Sequence, residues 1–159
     1  MAKPAALVVA AGAVGAQVVG VVWLKGMRDK DSAVVAAQRR INTRFPNPGQ
    51  MRTAGTHGAD ASGIRHVGRT SGRSYETPVG AIPVDDGFVI SLVYGRRSDW
   101  VKNVLAGGSA TIVRDDREYK VTQPELIAFE EAAPWLAGGD QRSLRLFGVH
   151  DFLRVHTAR

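Results

Sequence analysis

Residues 77–93, TPVGAIPVDDGFVISLV, set two apolar runs on either side of Asp85-Asp86-Gly87. An Asp-Gly step between such runs is a strong hairpin signal, because both residues tolerate the backbone angles of a tight reversal. The runs are short and rich in Val and Ile, which suits strands rather than helices. Similar segments recur from Ile64 onward: IRHVGR comes before the hairpin, and SATIV and YKVTQPEL form a second one around Asp115-Asp116. SLRLFGVHDFLRVH reads as a long final strand, or a strand plus a turn. Two helices interrupt the pattern. In SDWVKNVLAGG, Ser98 or Asp99 caps the start, Trp100, Val104 and Leu105 share a face, and Gly107 stops the helix; AFEEAAPWLAGG is a helix broken at Pro134. The class is mainly β (α+β), and the expected architecture is a small barrel of about six antiparallel strands with short helices.

The 159 residues carry no cysteine and a net charge of +6. That length fits one domain with a core, and the missing cysteines exclude disulfides, a thiolate nucleophile and Cys-based metal sites. The charge is uneven: between Lys25 and Arg73, ten Lys/Arg stand against three Asp. This half of the chain is suited to an anionic partner. Before it, residues 5–24, AALVVAAGAVGAQVVGVVWL, hold Gln17 as their single polar side chain and are long enough to cross a bilayer. No cleavage region follows, and the run ends in Trp23 and then Lys25, Arg28 and Lys30, which favours an uncleaved membrane helix with residues 25–159 in the cytoplasm. Its Ala and Gly content leaves a surface-lying or buried helix open. Residues 31–45, DSAVVAAQRRINTRF, read as a basic helix, followed by the Gly-rich connector TAGTHGADASG. The expected organisation is therefore an apolar helix in 1–30, a basic helix and connector in 31–63, and the β domain in 64–159.

Side-chain chemistry is sparse. His57, His66, His150 and His156 show no metal-ligand spacing, no GxSxG nucleophile elbow is present, and the paired aspartates sit in turns. No metal and no catalytic side chain are assigned. An enzyme of this composition relies on a cofactor for the chemistry. The stretch HVGRTSGRSYETPVG, residues 66–80, supplies the candidate binding loop. Gly68 and Gly72 allow a tight turn with outward N–H groups, Thr70 and Ser71 add hydroxyls, and Arg69 and Arg73 add charge, a set suited to phosphate or carboxylate. An ordinary exposed turn explains the same residues equally well. Aromatics are few and no stacking platform is visible, so nucleic acid is not an expected partner.

GRTSGRSYETPV, followed after the hairpin by VISLVYGRRSDWVKNVLAGGSATI, resembles the deazaflavin-dependent nitroreductase family. The resemblance covers about residues 64–156 and rests on four ordered parts: Gly-Arg-x-Ser/Thr-Gly, Thr/Asn-Pro, a strand ending in Gly, and a Trp-x-x-Asn helix. It implies a split β-barrel that binds coenzyme F420, with FMN as the alternative. It also implies that Arg69, Thr70, Ser71 and Arg73 hold the phosphate and acidic tail, and that Tyr75, Glu76, Thr77, Pro78 and Val79 run along the deazaflavin. Ser91, Leu92, Val93 and Tyr94, with Asp99, Trp100 and Asn103, would close the other side. Many family members carry Lys where Thr70 stands and Arg where Tyr75 stands; Arg73, Arg96 or Arg97 are the available replacements. The implied activity is hydride transfer from the reduced deazaflavin to a lipophilic unsaturated, quinone-like or nitro-bearing small molecule. A homodimer is compatible with it. A non-catalytic barrel holding a fatty acid or other acidic lipid is the alternative.

Overall fold

The chain forms β1 (Ser62–Val67), β2 (Ser74–Val79), β3 (Ala81–Val84), β4 (Gly87–Ser91), α1 (Asp99–Gly107), β5 (Ser109–Arg114) and β6 (Arg117–Ala128). It continues through α2 (Phe129–Ala132), a 3-10 turn (Ala133–Trp135), α3 (Gly138–Leu146) and β7 (Asp151–Thr157). This computed structural model describes residues 54–58 and 61–158. The apolar run 5–24 and the basic helix expected over 31–45 lie outside them. Among the described residues, no helix is long and apolar enough to cross a membrane.

All pairings are antiparallel, and the strand order is β2-β1-β5-β6-β7-β4-β3. β2 and β3 are thus the two edges of the sheet, yet only Gly80 separates Val79 from Ala81. Two Cα steps span about 7 Å at most, so the sheet must curl until the end of β2 meets the start of β3. The result is a seven-stranded half-barrel. The curl is helped by a bulge in β6 between Thr122 and Glu125, where Gln123 takes φ 51° ahead of Pro124. At the seam, Arg114 of β5 donates to the Ala81 carbonyl at 3.0 Å and to Ser62 Oγ at 3.4 Å, fastening β3 to β1.

Alternation along the strands fills two cores. Ile64, Phe88, Ile90, Ile112, Val121, Leu153 and Val155 point inside the curl, where Val101 and Val104 of α1 join them. Val89, Ile127 and Phe152 point outward and are covered by Phe129, Ala132 and Leu136. β4 and β7 are therefore buried on both faces, which is why FVI and FL read as continuous apolar runs. α1 lies across β1, β5 and β6 and ends at Gly108, with φ 66°.

The structure corrects three expectations. There are seven strands rather than about six, because TPVGAIPV breaks at Gly80 into two strands on opposite edges. SLRL is not strand: it belongs to α3, whose Gln141 side chain donates to the Ala133 and Leu136 carbonyls and ties the helix to the 3-10 turn. The Leu/Arg alternation there mimics a strand, but Leu144 packs on the outer core as a helical residue. The first helix runs through Gly107 and stops one residue later. Both Asp-Asp turns form as expected; Asp115 and Asp116 take φ 51° and 59°.

Two outcomes follow for stability. A Cβ at Gly87 would collide with the backbone carbonyl of Val155 on the paired strand, so Gly87→Ala is expected to cost about 3 kcal/mol or more, measured by denaturant unfolding. Arg114→Met keeps the stem but removes the seam bonds; it should lower stability by about 1–3 kcal/mol and speed amide exchange selectively in β3.

Candidate functional site

The β1–β2 connection, residues 68–73, is a tight loop closed by Gly68 N–H to the Arg73 carbonyl at 2.8 Å and Gly72 N–H to the Gly68 carbonyl at 2.9 Å. Gly72 takes φ 64°, a conformation that favours glycine. Arg73 N–H donates to Ser71 Oγ at 3.3 Å, and the Ser71 and Tyr75 hydroxyls share a hydrogen bond at 3.0 Å. Thr70, Ser71 and Arg73 are exposed.

Arg69 fastens this loop to α1. Its backbone N–H donates to Asn103 Oδ1 at 3.2 Å, and its guanidinium donates to the same oxygen at 2.8 Å. The guanidinium also reaches the Asp99 carbonyl at 3.5 Å and the Asp99 carboxylate at 3.3 Å. Since Arg69 has only donors to offer, the oxygen of Asn103 must face it, and the Asn103 NH2 must face the other way. There it meets His66 Nδ1 at 3.3 Å, so the imidazole accepts at Nδ1 and carries its proton on Nε2, which faces Thr77 Oγ1 at 3.3 Å. Asn103 is 7% and His66 5% exposed. Burial pushes the imidazole pKa below its ordinary value, consistent with this neutral form. Tyr75 stacks on His66, with ring centroids 5.9 Å apart.

Arg69, Ser71, Tyr75, Thr77, Asp99 and Asn103 are thus brought into one linked group from three segments of the chain. Other candidates lie elsewhere. Glu76 faces the opposite side of the sheet, where it and Glu118 pair with Arg65. Pro78 is exposed on the edge strand, Val79 and Leu92 are core residues, and Val93 packs on the outer core. Ser91 stands by the seam, its hydroxyl 3.9 Å from where a Gly80 Cβ would lie. Tyr94 is exposed, and Trp100 packs half-buried against the inner core. His66 was not among the sequence candidates. Its signal was its parity: it follows Ile64 on the inward face of β1, a polar residue at a core position.

An open cleft of about 260 Å³ lies between the β3–β4 and β5–β6 turns, lined by Phe88, Arg114, Asp115 and Tyr119 among others. It shares no residue with the loop group, and its Arg114 is already held at the seam. Among the described residues, no cluster of His, Asp and Glu is arranged to hold a metal ion.

No protein-family model and no curated protein matches the sequence. Several solved structures are similar over part of the chain. An F420-H2 dependent reductase is 14% identical, with 59% of this chain and 92% of that one covered and a TM-score of 0.44. A protein of the pyridoxinephosphate oxidase family from Clostridium acetobutylicum is 12% identical, covering 63% of this chain and 75% of that one, with a TM-score of 0.46. The heme storage protein HutZ from Vibrio cholerae is 10% identical, with 72% and 89% covered and a TM-score of 0.47. These likenesses are partial, and none assigns a cofactor or an activity to this chain.

Proposed function

We propose that this protein binds coenzyme F420 and acts as a reductase toward a lipophilic unsaturated, quinone-like or nitro-bearing molecule, with residues 5–24 holding it at a membrane and the β domain in the cytoplasm. The observation that carries this reading is the convergence of the signature. The Gly-Arg loop, the Thr77-Pro78 strand and the Trp-x-x-Asn helix are separated in sequence, and Arg69, Asn103, His66 and Thr77 connect them in one chain of hydrogen bonds.

The residues present fit an anionic, partly planar group. Three of the five guanidinium N–H groups of Arg69 are used by Asn103 and Asp99, which leaves two for a phosphate or carboxylate. Thr70, Ser71 and Arg73 add exposed donors beside it. β2 pairs only with β1, so its outer edge is open, and Tyr75, stacked on His66 on one side, is exposed enough for a planar group to lie along it. When bound, the reduced deazaflavin supplies the hydride. The protein's part is to hold and orient: Arg69 fixes the anionic tail, and the Ser71–Tyr75 hydroxyl pair can move a proton at the edge of the loop.

The test is a spectroscopic titration of the purified chain with F420 and, separately, with FMN. Binding of F420 in the micromolar range is expected, and Arg69→Ala should weaken it by about ten-fold or more, the factor for one charge-assisted hydrogen bond. Binding of FMN alone would reassign the cofactor. No spectral change with either at about 50 µM ligand would overturn the reading.

A further inference from the structure

The most heavily buried polar groups of the site are the side chains of Asn103 and His66, and most of their hydrogen-bonding capacity is spent inside the protein. Asn103 Oδ1 is taken twice by Arg69, its NH2 by His66, and His66 Nε2 by Thr77. We propose that these two residues form a positioning pair: neutral His66 keeps the Asn103 amide turned so that its oxygen holds Arg69 in place for an anion, and protonation of His66 releases Arg69. The ligand half of this inference rests on the function proposed above; the positioning half does not.

The chemistry leaves no neutral compromise. An imidazolium carries N–H on both ring nitrogens, so Nδ1–H would face the Asn103 NH2, donor against donor. Flipping the amide would satisfy the imidazolium, but it would turn the NH2 toward the Arg69 backbone N–H and guanidinium, which also only donate. One side of Asn103 therefore loses its bonds whenever His66 takes up a proton, and buried groups left unpaired are costly. The surroundings do not offer a rescue. Of the charged and titratable groups on the elements packed around His66, Arg69 and Asp99 pair with each other beyond Asn103. Tyr75 presents its ring to the imidazole, and Lys102 is exposed on α1. Arg65, Glu76 and Glu118 pair on the other side of the sheet. No carboxylate is hydrogen-bonded to the ring.

Because burial holds the imidazole below its ordinary value, the neutral form predominates at and above the ordinary imidazole range, and Arg69 is released only as the pH falls through the lower folded value. The same sign applies to the fold, whose His66 contribution is complete above the ordinary imidazole range and is lost on acidification.

The experiment is an NMR titration of the ligand-free chain from about pH 8 to about pH 5, following the His66 ring and the Arg69 backbone amide, with F420 titrations at both ends. Expected is one shared midpoint for ring and amide, together with a fall in F420 affinity of about ten-fold on the acid side. His66→Asn, which retains an acceptor toward Asn103 but cannot titrate, should show a pH-independent affinity whatever its level. Asn103→Asp should invert the behaviour: its carboxylate accepts from both Arg69 and the imidazolium, so the His66 midpoint should rise above that of the unaltered chain. If His66 titrates while the Arg69 amide does not move, or if the ring stays neutral until the fold is lost, the positioning pair is overturned. If F420 binds equally well at both ends, the inference fails and the cofactor reading stands. If F420 fails to bind at about pH 8 while ring and amide still move together, the cofactor reading fails and the pair stands.

Discussion

One glycine joins the two edges of a seven-stranded sheet, and the rest of the molecule is arranged around that constraint. With β2 and β3 separated only by Gly80 and placed at opposite ends of the strand order, the sheet has no flat solution. Curling encloses one apolar face as an inner core and leaves the other face of β4, β6 and β7 outside, where α2, the 3-10 turn and α3 cover it. Arg114 holds the seam from the side by reaching across to both β1 and β3. The curl also sets the position of α1, which packs on β1, β5 and β6. That placement is what brings Asn103 within reach of His66 and of the β1–β2 loop.

The loop differs in kind from the cores. Its energetics depend on polar groups that are buried and therefore must be paired. Asn103 and His66 are nearly inaccessible, and each finds partners only because the loop, β2 and α1 are all in register. Arg69 is held by Asn103 and Asp99, which limits the freedom of its side chain. Thr70, Ser71 and Arg73 of the same loop are exposed beside it.

Local signals were legible. Asp85-Asp86-Gly87 and Asp115-Asp116 announced their hairpins because turn geometry is set within a few residues. SDWVKNVLAGG announced α1 through its spacing and its terminal glycines. Two misreadings have the same cause in reverse. TPVGAIPV looks like one strand, since nothing within eight residues says that its halves belong to opposite edges. SLRL alternates like a strand, and only the packing of Leu144 on the outer core and the bonds from Gln141 make it helical. Glu76 was placed with the site by its neighbours in sequence, whereas strand alternation turns it toward Arg65 on the far side.

The sequence by itself determined the β class, the turn positions, the uneven charge and the loop composition, because each depends on residue type and short-range spacing. Only the tertiary structure decided what the loop is attached to. His66 and Asn103 lie 37 positions apart, and a histidine's protonation state and an asparagine's orientation are set by whatever burial brings against them. Those partners exist only after the sheet has closed at Gly80 and laid α1 across β1.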